Sequence, residues 1–324
     1  MIQGRIYRDG KLTDEAITIE SLASLTIDTK AVYWLDLVKP DEIEFNTVAK
    51  SLRLDSTHAE DAFKGRQRPK LEMSRGYIYI NAYTVEFPID TRDVITEEIA
   101  IFVTHNGLVT VRDDENADLS PIIRHWDESA AAPGRHGVDY LIWGLLDVIV
   151  DGYFWTLDIL DDEIEKLEDR IFDSVSHDLE LQRLTYDLRK ALVTVRRLTL
   201  PMREIVGPLM RQDIVPISTE MALHFHDVYD HVMRVADWTE SLRDLITTLL
   251  ETNLTIQGNY MNSIMKKVTS WAAIIAVPTA ITGFYGQNIP YPGSEEMWGF
   301  WFSTGSIVVL SVGLYFVFKA RDWL

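Results

Sequence analysis

VTSWAAIIAVPTAITGFY (268–285), GQNIPYPGSEE (286–296) and MWGFWFSTGSIVVLSVGLYFVF (297–318) follow one another, and across all three only Glu295 and Glu296 carry charge. The first segment has 18 residues and the third 22. As helices they measure about 27 Å and about 33 Å, and both match a hydrocarbon core of roughly 30 Å. The Gly-, Pro- and Asn-rich piece between them reads as a loop. Lys266 and Lys267 precede the first span, Lys319 and Arg321 follow the second, and the loop has neither Lys nor Arg. The positive-inside rule then places both termini in the cytoplasm and the loop outside. Trp298, Phe300, Trp301 and Phe302 fall at the outer interface and Trp323 at the inner one. The expectation is a multi-pass protein of a cell membrane, with the lipid bilayer as a partner. No apolar stretch follows Met1, so no cleaved signal peptide is expected. Two spans cannot enclose a water path; conduction would require several copies around one helix.

Outward from the spans the chain changes character. It has 324 residues, 31 Lys and Arg against 50 Asp and Glu, and a net charge of −19. All of the excess acid lies before Lys266, so an acidic body precedes an apolar tail. Such a balance argues against nucleic acid as a partner, which needs a basic surface. The absence of cysteine removes disulfides, thiolate metal sites and cysteine nucleophiles. No phosphate-binding loop, catalytic triad or metalloprotease motif is present, so neither an enzyme nor an organic cofactor is expected.

The body begins as mixed α and β. Arg5–Tyr7, Ala16–Glu20, Val32–Leu37, Tyr77–Phe87, Glu98–Val103 and Leu108–Val111 read as strands, with an Asp9–Gly10 turn and an Asn106–Gly107 hairpin. Pro40 opens a helix. After Asp118 only helical patterns remain: Val138–Phe172, Asp178–Arg211, and a third starting near Ser218, where Ser218, Thr219 and Glu220 form a capping signal. This third pattern meets no Pro or Gly until Gly258 and runs straight into the first span. Its apolar positions, Val228, Val232, Val235, Leu242, Leu245, Leu249, Ile256, Tyr260, Met261, Ile264, Met265 and Val268, recur mostly at steps of 3, 4 and 7, the stripe of a helix that packs on a partner. A stalk of this kind builds a symmetric bundle with a central axis. The expected fold is an α+β cytoplasmic domain, long helices and a two-helix transmembrane hairpin. The segments are 1–217 (cytoplasmic body), 218–267 (stalk), 268–285 (first span), 286–296 (external loop), 297–318 (second span) and 319–324 (cytoplasmic tail).

One face of the stalk and first span collects Asn262, Met265, Thr269, Ala272, Ala276, Thr279 and Gly283. Small and polar residues on one side of a membrane helix serve either helix contact or a water-filled axis. Pro278 removes one backbone hydrogen bond within the span.

At the outer end stands Tyr285-Gly286-Gln287-Asn288. It resembles the Tyr-Gly-Met-Asn signature of the CorA family of divalent-cation channels. The setting resembles that family as well: the end of the first of two spans, a short acidic loop, a second span and a basic tail ending Trp323-Leu324. Upstream, Gln67-Arg68-Pro69-Lys70-Leu71-Glu72, Asp139-Tyr140-Leu141, Asp161-Asp162-Glu163-Ile164, Leu200-Pro201-Met202-Arg203-Glu204 and Asp227-Val228-Tyr229-Asp230-His231 look like family landmarks. The resemblance implies a homopentameric funnel that passes Mg²⁺, and also Co²⁺ or Ni²⁺, with the stalk helix lining the pore. By position Gly286, Gln287 and Asn288 would form the outer filter; Asn262, Met265, Ala276 and Thr279 would line the pore; and Met265 with Val268 would form an apolar constriction, wider at Ala276 than is usual. Gln287 replaces the family's Met and bears on ion selectivity. The ZntB zinc transporters keep Gly-x-Asn and vary the middle residue, so a ZntB-like, proton-coupled Zn²⁺ transporter is the alternative. A membrane-anchored cation sensor that does not conduct is a third. Glu295 and Glu296 are candidates to concentrate cations at the mouth.

The resemblance also implies Mg²⁺ as a regulatory ligand that holds the channel closed from the cytoplasmic side. Asp227 and Glu251 match the family's stalk acids. The partner of Asp227 on a neighbouring copy is one of Glu86, Asp90 and Asp93. Divalent cations between copies would offset the mutual repulsion of such acidic bodies. His224, His226, Asp230 and His231 invite a zinc reading through the i, i+4 pair His226–Asp230, but lack a third and fourth ligand on that face, and are read as structural.

Overall fold

The computed structural model describes residues 2–113, 119–129, 137–173, 179–211, 217–287, 290–293 and 296–324. Asn288 and Glu295 therefore lie outside the described residues. The chain divides into two compact units, residues 1–169 with 179–247, and residues 170–178 with 248–324.

The first unit is built on a seven-stranded sheet of order β2-β1-β3-β7-β6-β5-β4. Its strands are β1 (Ile2–Arg8), β2 (Lys11–Leu12), β3 (Ala31–Val38), β4 (Lys70–Ser74), β5 (Tyr77–Glu86), β6 (Ile95–Val103) and β7 (Gly107–Arg112). All neighbours are antiparallel except β3 and β7, which pair in parallel from Tyr33↔Gly107 to Val38↔Arg112. β3 lies inside the sheet and is buried on both faces, as its nearly unbroken apolar run requires. Tyr33, Leu35 and Leu37 join the core that Leu22 and Leu25, Phe45, Val48 and Leu52 complete. These come from α1 (Ile19–Leu25) and α2 (Glu42–Leu52). On the alternate positions of β3, the Trp34 indole N–H donates to Thr110 Oγ1 at 3.1 Å, and the Thr110 hydroxyl donates to Asp36 at 2.6 Å. Arg112 closes this buried network with a salt bridge to Asp36 at 2.9 Å. Such a pair is costly to bury and still costlier to halve.

Both helices start at capping boxes, Thr18 with Ser21 and Asp41 with Glu44. The first corrects the strand read at Ala16–Glu20: the reciprocal Thr18–Ser21 bonds convert an alternating pattern into a helix start. Pro40 stands just before the Asp41 cap rather than inside the first turn. The β6–β7 hairpin is present, but the turn residues are His105 and Asn106, and Gly107 is already in β7. Gly107 answers a close approach: a Cβ there would run into the Tyr33 ring. The Asn106 amide group donates to the carbonyls of Leu25, Asp28 and Ala31.

The short elements that escaped the sequence reading include α3 (Ser56–Lys64) and β4. They are tied together by His58, whose ring nitrogens lie 2.8 Å from Tyr77 Oη and 2.7 Å from Glu72 Oε2. After α4 (Ser120–Ser129) comes α5 (Val138–Asp173). It docks on the sheet through Tyr153 and Thr156, whose hydroxyls donate to the Tyr83 and Val85 carbonyls at 2.7 and 3.0 Å. The pattern read as one helix over Asp178–Arg211 is two, α6 (Leu179–Thr199) and α7 (Met202–Met210), divided at Leu200–Pro201. Pro201 has no N–H to continue the ladder.

α8 (Thr219–Tyr285) is a single helix of 67 residues. Within the first unit its buried positions are Met221, Phe225, Val228, Val232, Val235, Thr239, Leu242 and Ile246, alternate steps of 4 and 3. Ile246 takes the buried place expected of Leu245, which is only half-buried. The stripe ends within the second unit, where Leu249 and Asn253 are buried and Leu254, Tyr260, Met261, Ile264, Met265 and Val268 are exposed.

The second unit contains the rest of α8 and α9 (Met297–Ala320). Among the described residues three helices are long and apolar enough to cross a membrane: α5, α8 and α9. In α5 61% of the apolar window is buried by the protein itself, which makes it a core helix of the first unit. The corresponding shares are 6% in α8 and 0% in α9. So much uncovered apolar surface needs a non-aqueous environment. α9 ends in a Schellman motif. Asp322 takes the left-handed position (φ 54), its N–H donates to Lys319, the Trp323 N–H donates to Phe318 at 2.9 Å, and the Trp323 and Phe318 rings stack at 5.7 Å.

Candidate ion-conduction site

The membrane part of α8 has one half-covered face, Ala273, Ile274, Val277, Pro278, Ile281 and Tyr285. Asn262, Met265, Val268, Ala272, Ala276, Thr279 and Gly283 are all exposed, so this chain leaves the small and polar face bare. The Thr279 hydroxyl donates to the Ile275 carbonyl at 3.0 Å. It therefore turns oxygen lone pairs, and no proton, toward the exposed side. That is the polarity that the outward-pointing hydrogens of a hydrated cation need. Thr282 donates likewise to Pro278 at 2.8 Å.

Beyond Tyr285 the helix unwinds through Gly286, whose N–H donates to Thr282 at 2.8 Å, and Gln287, whose N–H donates to Phe284 at 3.3 Å. Both residues are exposed. The loop comes back over the helix end: the Tyr291 hydroxyl donates to the Tyr285 carbonyl at 2.9 Å, with the two rings 5.1 Å apart, edge to face. Glu296 is exposed at the N-cap of α9 and makes no side-chain cap bond.

In the first unit, Asp227 on α8 is largely exposed, with its carboxylate 4.0 Å from His231 Nε2. α5 contributes two acids that the sequence reading missed. Asp147 is pushed up to about 6, chiefly by burial, then by Asp151, against the opposing pull of His231. Asp151 is raised too, again chiefly by burial, with Asp227 adding to it and His231 opposing. Their i, i+4 spacing within the apolar run GLLDVIVDGYF was the available signal. A cleft of about 450 Å³ beside them is lined by Asp151, Phe154, Trp155, Asp158, His231, Arg234 and Trp238. Among the described residues no three His, Asp or Glu side chains stand close enough to share a metal ion. His224 packs on Trp143 at 4.9 Å and His231 on Phe154 at 5.7 Å, as structural histidines do.

The three acids considered as partners of Asp227 cluster at the end of the β5–β6 hairpin, all exposed. Asp93 is engaged by Lys190 at 2.9 Å. Glu86 and Asp90 have no ion pair among the described residues. Glu251 belongs to the second unit, where it is exposed.

A family described as CorA-like Mg²⁺ transporter protein matches residues 29–320. The cobalt/magnesium transport protein CorA of Thermotoga maritima is 28% identical over 98% of this chain and 89% of its own length. The zinc transport protein ZntB of Yersinia pseudotuberculosis is 21% identical over 98% of this chain and 94% of its own. Among solved structures, the complete CorA magnesium transporter of Methanocaldococcus jannaschii superposes with a TM-score of 0.82 at 24% identity, covering 100% of this chain and 99% of that one. With its fold, its bare polar helix face and a match running from β3 to the last turn of α9, the chain belongs to the CorA-like Mg²⁺ transporter family.

Proposed function

We propose that this protein is a homopentameric channel for Mg²⁺, passing Co²⁺ and Ni²⁺ as well, with both termini in the cytoplasm and loop 286–296 outside. The observation that carries the reading is the exposed face of α8 leading to Gly286, Gln287 and Asn288. Five such faces around an axis line a pore with small side chains, amide oxygens and hydroxyl lone pairs. Neutral oxygens of this kind suit Mg²⁺, which gives up its waters reluctantly. They also bind weakly enough for the ion to leave, where a ring of carboxylates would hold it. Met265 and Val268 form the apolar constriction that gates by dewetting. Asp227, with Glu86 or Asp90 of a neighbouring copy, and Glu251 take up cytoplasmic Mg²⁺ and bias the assembly toward its closed form. Among the described residues no three such ligands stand together in one chain, so the proposal draws the rest from a second copy. The segment boundaries 217/218, 267/268, 285/286, 296/297 and 318/319 belong to this proposal.

Flux into liposomes holding the purified protein tests it. Mg²⁺ uptake without a proton gradient is the expected result. Zn²⁺ uptake that follows a pH gradient supports the ZntB-like reading, and no flux of any divalent ion supports a sensor. Gln287 is the residue that favours the second reading, since it adds a polar group where the family has a thioether. Gln287→Met should therefore shift ion preference without altering assembly. The expected change is roughly three- to tenfold in the Zn²⁺ or Co²⁺ concentration that halves Mg²⁺ uptake, the worth of about one hydrogen bond. Superimposable competition curves would remove position 287 from selectivity.

A further inference from the structure

The turn after α8 is closed by a single side chain. Tyr285 is the last residue of α8, so its carbonyl is among those a helix leaves without an internal donor, at the negative end of the helix dipole. Two neighbouring carbonyls are satisfied by backbone, Thr282 by Gly286 and Phe284 by Gln287. The Tyr285 oxygen receives its proton from the Tyr291 hydroxyl at 2.9 Å. The Tyr291 ring is held in place by Tyr285 at 5.1 Å and Phe284 at 6.4 Å. A phenylalanine would keep the packing and lose only the donor.

We propose that Tyr291 is a positioning residue of the filter: its hydroxyl occupies the Tyr285 carbonyl and so withholds that oxygen from a divalent cation at the mouth. The inference rests on the filter reading of residues 286–288. A bare helix-terminal carbonyl is a good ligand for a cation, and a ring of them would retain a Mg²⁺ that has to leave. The loop has a second pin, of a different kind. Gly293 adopts φ 89, where an added Cβ would meet the Trp298 ring at 2.9 Å, and Gly299 is buried against the Gly293 carbonyl. That pin is steric and does not involve the Tyr285 carbonyl, so the two can be separated by experiment.

Tyr291→Phe and Gly293→Ala, each in the full-length protein in liposomes, are compared for Mg²⁺ uptake across a concentration series. For Tyr291→Phe the half-saturating Mg²⁺ concentration should fall roughly three- to tenfold, with a lower maximal uptake and unchanged oligomer size. Tighter retention lowers both values together. Gly293→Ala, which only loosens the loop, should lower maximal uptake at an unchanged half-saturation. Wild-type curves for Tyr291→Phe would overturn the proposal, and so would the Gly293→Ala pattern, which would reduce Tyr291 to a structural pin. If Asn288→Ala keeps its uptake, the filter reading and this proposal fall together. If Asn288→Ala is inactive and Tyr291→Phe matches wild type, only the role of Tyr291 fails.

Discussion

Asn288→Ala is expected to abolish divalent-cation uptake, by more than a hundredfold, while the oligomer remains intact. In the proposed filter each copy would lose the one amide oxygen that Asn288 offers to the hydrated ion. If one such contact is worth about 1 kcal/mol, five lost around one axis exceed the 2.8 kcal/mol that corresponds to a hundredfold change. Gly286 and Gln287 are anchored to Thr282 and Phe284 through backbone alone, and the Tyr291–Tyr285 bond does not involve the Asn288 side chain. Uptake into liposomes and size-exclusion of the detergent-solubilised protein make the check together. Uptake above a tenth of wild type would take Asn288 out of the filter. Loss of the oligomer would instead assign it to assembly.

What the sequence reveals here depends on how local the cause is. Two nearly uncharged stretches flanked by Lys266–Lys267 and by Lys319 and Arg321 need no tertiary information. Neither does the continuity of α8, since no breaker interrupts Thr219–Gln257. The strand at Ala16–Glu20 failed because alternation is a weak signal over five residues, and the Thr18–Ser21 capping box outweighs it. α3 and β4 failed for the opposite reason. STHAEDAFK and KLEMS have little pattern of their own, and they are held by His58 reaching Tyr77 and Glu72 across the chain. The split at Pro201 could have been read from the sequence, since a proline removes a ladder donor wherever it falls.

The candidate site divides the same way. The small and polar face of α8 follows from helical spacing; in the structure it is exposed, as are Trp271, Ile275 and Phe284 on the other side of the helix. The Tyr291–Tyr285 bond could not be read, because helical or strand periodicity says nothing of which loop side chain meets a helix-terminal carbonyl. Asp147 and Asp151 could be seen only as two acids in an apolar run. Their coupling to His231 spans some 80 residues of sequence and appears only when α5 and α8 of the first unit pack.

The second large effect concerns gating. Asp227→Asn with Glu251→Gln should raise the cytoplasmic-side Mg²⁺ concentration that halves flux by about tenfold. It should also raise, by a similar factor, the Mg²⁺ needed to protect α8 from proteolysis. Asp227 and the filter are separated by most of the length of one helix, so these acids act on permeation only by favouring one conformation. A ligand shifts an equilibrium only by its differential affinity for the two states. Asp227 is exposed in the single chain, 4.0 Å from His231, and its charge also reaches Asp147 and Asp151. The neighbouring acids also limit the size of the effect. Asp147, raised to about 6, and Asp151 still add negative charge near His231 when Asp227 is neutralised. Removing two repulsive charges per copy meanwhile eases the closed packing without any cation. Both corrections lower the apparent loss, so the expected size is a tenfold shift, below the hundredfold that two lost carboxylates alone would give. Flux at rising cytoplasmic-side Mg²⁺ and limited proteolysis of the same preparation give the two midpoints. Should both coincide with wild type, Asp227 and Glu251 are solvated surface acids, and the bias toward the closed form is set by other groups.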